Sequence, residues 1–131
     1  MYRENMTILI LDASVTVQIK IRDLLQELDS ENLDIKCFED GSEALDYVKE
    51  NKVDLVFSAI ETVGLDGISF VDILLRDKPK LVSKLFIVTS QKNNENIKDL
   101  KGVGAKRFIK KPIDEVYFKH FVVPEINKML K

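Results

Sequence analysis

Apolar residues fall along the chain in short runs that alternate with longer, gapped stripes. The runs are Ile8–Leu11 (ILIL), Ile35–Phe38 (IKCF), Val53–Ser58 (VDLVFS), Leu85–Thr89 (LFIVT) and Arg107–Ile109 (RFI). Three of the five are almost continuously apolar, as strands must be when both faces of a parallel sheet are covered. Between the runs the period lengthens. Val17, Ile21, Leu24, Leu25 and Leu28 share one face of a helix. Asp40-Gly41 reads as a turn, and Ser42–Val48 then starts a short helix with Asp40 or Ser42 available as its cap. Phe70, Val71, Leu74 and Leu75 form a third stripe, closed by Lys78-Pro79. Asn94–Lys101 is a weaker fourth, polar except for Ile97 and Leu100. Asp114 opens a fifth, from about Glu115 to Leu130.

A strand followed by a helix, five times over, predicts an α/β fold with right-handed crossovers and a doubly wound parallel sheet. The pattern reads as one domain over residues 4–131, with no repeat, linker or output domain expected in this sequence. Pro124 removes one backbone bond, to the His120 carbonyl, so a kink or break is expected inside the last helix.

Composition narrows the classes. At 131 residues the chain suits a single core, and 45% hydrophobic with 32% charged residues is a globular balance. A net charge of −2, with Lys and Arg spread along the chain, gives no footprint for nucleic acid. No apolar run approaches the roughly 20 residues that span a bilayer, so no membrane partner is expected. The start, MYRENM, lacks the apolar segment of a secretion signal. A single cysteine, Cys37, forms no internal disulfide and fits a reducing compartment, so the cytoplasm is expected. In the second strand Cys37 reads as a small buried hydrophobe.

Chemistry in an open α/β sheet sits beyond the carboxyl ends of the strands. Here the first strand leads into Asp12-Ala13, the third ends at Ala59, the fourth ends in Thr89-Ser90, and the fifth leads into Lys110-Lys111-Pro112. The segments ILILDAS, DLVFSAIETVGLDG, FIVTS and GAKRFIKKPID, in that order and at those spacings, resemble the receiver domain of two-component response regulators. The resemblance covers essentially the whole chain, from about Thr7 to Leu130. It implies a flavodoxin-like sheet of order 2-1-3-4-5 with five helices, and a regulatory rather than an enzymatic protein. Such receivers carry two acidic residues after the first strand, which hold Mg²⁺ together with a phosphate-accepting aspartate at the end of the third.

Residue by residue, Asp12 matches the first acid, but Ala13 stands at the second and Ala59 at the phosphoacceptor. Thr89 matches the hydroxyl that contacts the phosphoryl group, Lys111 the lysine that pairs with it, and Phe108 the aromatic whose rotamer reports activation. Glu61 falls where the family uses a backbone carbonyl as a metal ligand.

The chemistry follows from the residue types. An acyl phosphate needs a carboxylate nucleophile, which a methyl group cannot supply. Mg²⁺ needs oxygen ligands, usually one or two of them carboxylates. With two acids replaced, Asp12 and Lys111 form a neutral remnant. Each lost charge at 4 Å is worth about 1 kcal/mol in water and up to ~4 kcal/mol at a dielectric of 20. Metal binding is therefore expected to be weak or lost, and no cofactor is expected.

The first reading is a pseudo-receiver acting by phosphorylation-independent binding to a protein such as a histidine kinase or output protein. Its binding surface would be the fourth helix, fifth strand and fifth helix, which could also support a homodimer. A second reading is a conventional receiver carrying engineered alanines. A third, a small-molecule-binding or enzymatic domain of the same fold, has no glycine-rich phosphate loop after the first strand, where DASVTVQ stands.

At the level of single residues, Asp12 and Lys111 are expected to pair across the pocket. Thr89 and Phe108 read as a strand-end hydroxyl and a core aromatic. Glu61 reads as a solvated loop residue, with a substitute ligand as the alternative. Ser58 should point opposite to Ala59. Asp66-Gly67 reads as a turn, Lys110 as a surface charge, and His120 as a helix residue without a partner signature.

Overall fold

A computed structural model of the chain describes residues 5–28, 32–90 and 94–129. Five parallel strands, β1 (Met6–Leu11), β2 (Leu33–Phe38), β3 (Leu55–Ala59), β4 (Leu85–Thr89) and β5 (Arg107–Lys110), form one sheet in the order β2-β1-β3-β4-β5. The helices between them are α1 (Val15–Leu28), α2 (Gly41–Glu50), α3 (Gly67–Asp77) and α4 (Asn94–Gly102). The last helix, α5, is α-helical over Glu115–Tyr117, π-helical over Phe118–Val122 and α-helical again over Val123–Met129. Leu130, expected to end it, lies outside the described residues.

Strand alternation divides the core in two. Leu9 and Leu11 of β1, Val56 of β3 and Leu85 and Ile87 of β4 meet α2 and α3 through Ala44, Leu45, Val48, Phe70, Val71 and Leu74. On the other face Ile8, Ile10, Leu55, Phe57, Phe86 and Val88 meet α1 and α5 through Ile21, Leu25, Phe118, Val122 and Ile126. Both faces are thus covered, and each fully buried Leu, Ile or Phe contributes about 1.5–3 kcal/mol. The Phe57 and Phe86 rings stack at 5.1 Å between centroids, tying β3 to β4.

Two expectations need correction. Cys37 is exposed, because β2 is an edge strand. Leu33 and Ile35 pack against the α1 side of the core, and Cys37, one step further along the same side, lies past that cover. Neighbouring atoms still desolvate its thiol enough to push it above the ordinary cysteine value, against the opposing charge of Arg22. Asp66 is more than a turn residue. It caps α3, its Oδ1 accepting from the Ser69 N–H at 2.8 Å and its Oδ2 from the Ser69 hydroxyl at 2.9 Å.

The expected disturbance at Pro124 takes a definite form. The turn before it widens, with the Val123 N–H donating to the Phe118 carbonyl five residues back. That register carries the chain past the proline's missing donor without ending the helix. Lys78-Pro79 closes α3 as expected, but Pro79–Lys84 continues as a 3₁₀ helix and tucks Leu81 into the core.

The Asp66 cap carries a pH prediction. The Ser69 N–H, accepted by the carboxylate, is the largest influence and holds the Asp66 carboxyl below its ordinary value. Its contribution to stability is therefore present above the unfolded carboxyl value of about 3.9 and fades as the pH falls through the lower folded value. Asp66→Ala is expected to lose about 1 kcal/mol at pH 7. The difference from the parent should shrink below pH 4, as read from urea unfolding midpoints at both pH values. A difference that holds constant through this range would assign the effect to something other than the ionised cap.

Candidate functional site at the carboxyl edge

The register builds the site. Leu11 of β1 stands opposite Ser58 of β3, so the chain leaving β1 brings Asp12 alongside Ala59. Thr89 stands opposite Lys110, and the Lys111 N–H donates to the Thr89 carbonyl at 3.0 Å. The peptide bond between Lys111 and Pro112 is cis.

Asp12 is almost wholly enclosed, at 2% exposure. Its Oδ1 accepts from the Ser14 N–H at 2.9 Å. Its Oδ2 lies 2.7 Å from the Lys111 ammonium, so the two charges meet directly across the pocket. Among the described residues no donor is aligned to make a hydrogen bond to Oδ2, which leaves the lysine charge as its compensation. The lysine side chain is itself only 15% exposed, so water screens this pair far less than the surface pairs.

The backbone around Asp12 is equally fixed. Its N–H donates to the Phe38 carbonyl at 3.0 Å. The buried Gln18 donates through Nε2 to the Asp12 carbonyl at 2.8 Å and to the Phe38 carbonyl at 3.1 Å. Gln18 thus clamps α1 to the ends of β1 and β2, a role the sequence reading did not assign. The signal was available: Gln18 lies on the buried face of α1, three residues before Ile21 and seven before Leu25.

The other positions arrange themselves around this pair. Ala59 is buried, and its methyl occupies the end of β3 where a carboxylate would be needed. Ala13 is exposed, and its N–H donates to the Glu61 carbonyl at 3.3 Å. Glu61 is exposed on the loop after β3. Thr89 is buried at 5% exposure. Phe108 is half-buried against the α2–α3 side of the core, with the Lys101 ammonium 5.7 Å from its ring centroid. Ser58 is buried and its hydroxyl donates to the Ala59 carbonyl at 3.1 Å. Lys110 and His120 are exposed. Among the described residues, no three His, Cys, Asp or Glu side chains are grouped to hold a metal ion.

This fold, with Thr89 and Lys111 at the carboxyl edge, defines a doubly wound α/β domain of the receiver type. The chain belongs to the response regulator receiver domain family, whose model matches residues 8–122. It is 26% identical over 106 residues to a protein-glutamate methylesterase/protein-glutamine glutaminase of Pseudomonas aeruginosa, covering 81% of this chain and 30% of that protein. It is 29% identical over 108 residues to protein CcdB of Bacillus subtilis, covering 82% of this chain and 87% of that one. The chain thus spans about three tenths of the length of the methylesterase it matches.

Among solved structures, the signal receiver domain of an HD domain-containing protein from Pseudomonas fluorescens superposes with a TM-score of 0.81 at 20% identity, over 96% of this chain and 98% of that one. Chemotaxis protein CheY4 of Vibrio cholerae does so with a TM-score of 0.78 at 19% identity, over 96% and 99%. The chain is therefore a receiver-like regulatory domain of two-component signalling. Among the described residues, no helix is long and apolar enough to cross a membrane.

Proposed function

We propose that this receiver, taken as one unit over residues 4–131, signals without being phosphorylated at position 59 and acts by binding a protein partner. One observation carries the reading: where a phosphate-accepting carboxylate would stand there is the Ala59 methyl, and beside it Lys111 is held by Asp12 at 2.7 Å. The donor set does not fit Mg²⁺. Asp12 already accepts from Ser14 and faces Lys111, Ala13 offers no oxygen from its side chain, and the Glu61 carbonyl receives the Ala13 N–H.

The partner surface we assign to α4, β5 and α5. Val116, Tyr117 and Phe121 of α5 are exposed at 66%, 43% and 63%, and the two rings contact each other at 5.1 Å between centroids. Three exposed apolar side chains gathered along one helix support reading this face as the binding surface. A histidine kinase or an output protein, or a second copy of the chain, fits this face, and the cytoplasm is the compartment the reading implies.

Amide NMR spectra with and without Mg²⁺ plus beryllofluoride, an acyl-phosphate mimic, test the proposal. No change is expected at Asp12, Ala59, Thr89 and Lys111. Saturable shifts there would overturn it and point to a rebuilt site with Glu61 as the first suspect. The retained Thr89 and Lys111 favour one second reading, a conventional receiver with substituted acids. Under it, Ala13→Asp combined with Ala59→Asp would recover Mg²⁺ binding and phosphorylation in one step.

A further inference from the structure

At the opposite edge of the sheet, the C-terminal ends of α2 and α3 and the entries to β3 and β4 line a half-open cavity of about 410 Å³. That is within the roughly 300–1,000 Å³ of small-molecule sites. Val48, Val53, Pro79 and Leu81 give it apolar walls, and four lysines, Lys52, Lys78, Lys80 and Lys84, stand around it against two aspartates. Asp54 is already engaged, accepting from the Thr7 N–H at 2.9 Å and facing Lys52 at 3.7 Å. Lys78, Lys80 and Lys84 take part in none of the ion pairs formed among the described residues.

We infer that this cavity binds a small amphipathic anion, with an apolar body between Val53 and Leu81 and one anionic group among the lysines. The two helix C-termini alone would repel an anion, since each carries a partial negative charge of about −0.5. Little in the helices offsets this: the Asn51 N–H to Tyr47 and Lys78 N–H to Leu74 bonds, at 2.9 and 2.7 Å, only continue the helix ladder, and the Asn51 side-chain amide adds one donor to the Tyr47 carbonyl at 3.0 Å. Asp77 brings one opposing charge, and the three uncommitted ammonium groups of Lys78, Lys80 and Lys84 outnumber it, so the field at the mouth is set by the lysines. An apolar floor selects for a body with little polarity, and the lysine rim selects for negative charge. The carboxyl edge takes no part, because the length of β3 separates the two.

The probe is 8-anilinonaphthalene-1-sulfonate, titrated into the full chain and followed by amide NMR. Saturable shifts are expected at Val48, Val53, Leu81 and Lys84, with Asp12, Ala59 and Lys111 unmoved. Lys80→Glu, at an exposed position, should weaken binding about tenfold when combined with Lys84→Glu, since reversing two charges near an anion compounds their Coulomb terms. Lys80→Glu alone, expected to weaken it severalfold, serves if the double variant unfolds early. The uncharged parent arylamine should bind far more weakly than the sulfonate. Shifts centred on Tyr117 and Phe121, affinity indifferent to Lys80→Glu, or equal binding of the neutral arylamine would each overturn the inference. The beryllofluoride experiment reads other residues, so either proposal can fail alone.

Discussion

Replacing Lys111 with methionine is expected to lower the unfolding free energy by about 3 kcal/mol, well beyond what a surface charge is worth. The cause is the partner left behind. Asp12 is 2% exposed, and among the described residues its Oδ2 has no aligned donor and faces the Lys111 ammonium at 2.7 Å. Without the lysine that carboxylate is a buried, uncompensated charge, and methionine restores the packing but not the charge. The reverse change is milder. In Asp12→Asn the lysine, at 15% exposure, can turn its ammonium toward water while its methylenes stay packed. The double variant should lose less than the sum of the two, with a coupling of about 1–3 kcal/mol. Urea unfolding of the four proteins closes the cycle. A Lys111→Met midpoint indistinguishable from the parent would mean that the pair contributes nothing, and Lys111 would then be available to a ligand.

That pair was legible because the hydrophobic runs placed both residues just past strand ends and the receiver resemblance supplied the strand order that brings those ends together. The run Leu85–Thr89 coincides with β4 and Arg107–Ile109 stops one residue short of β5, whereas Ile8–Leu11 misses Met6 and Thr7 at the start of β1. In the third run, Val53-Asp54 proved to lie before the strand, since the Asp54 side chain turns back to accept from the Thr7 N–H. Cys37 was misread because burial was inferred from residue type, while exposure depends on where β2 falls in the sheet. Gln18 was missed for the complementary reason. A polar side chain on an apolar stripe looks like an interruption until the carbonyls of Asp12 and Phe38 are known to lie beneath it. The 3₁₀ turn at Pro79–Lys84 had only its proline as a signal, and its reason is the burial of Leu81.

Gly67→Ala is expected to cost about 2–3 kcal/mol by overpacking, although alanine is intrinsically the better helix former. Gly67 begins α3 and needs no unusual backbone angle, since among the described residues the positive φ values fall at Gly64 and Gly104. Its requirement is space. A Cβ there would collide with the Ala59 carbonyl oxygen and would sit 2.8 Å from both the Cα and the carbonyl oxygen of Ile60. All three are backbone atoms at the end of a fully buried strand, so no side chain can swing aside. The Gly67 N–H also donates to the Ile60 carbonyl at 3.0 Å, which fixes the approach that creates the conflict.

Gly102→Ala is the control, because a Cβ at that position meets nothing within 4 Å. It should be neutral or raise stability by up to about 1 kcal/mol through helix preference and a stiffer unfolded chain. Thermal or urea unfolding of both variants decides the matter. In Gly67→Ala the amide shifts of Ala59 and Ile60 should move with the loss of stability, because the only relief is to push α3 off the carboxyl edge. If Gly67→Ala instead behaved like Gly102→Ala, α3 would not be seated against the end of β3. The reading built on the Ala59 methyl and the Asp12–Lys111 pair would be untouched by that result, since neither depends on where α3 sits.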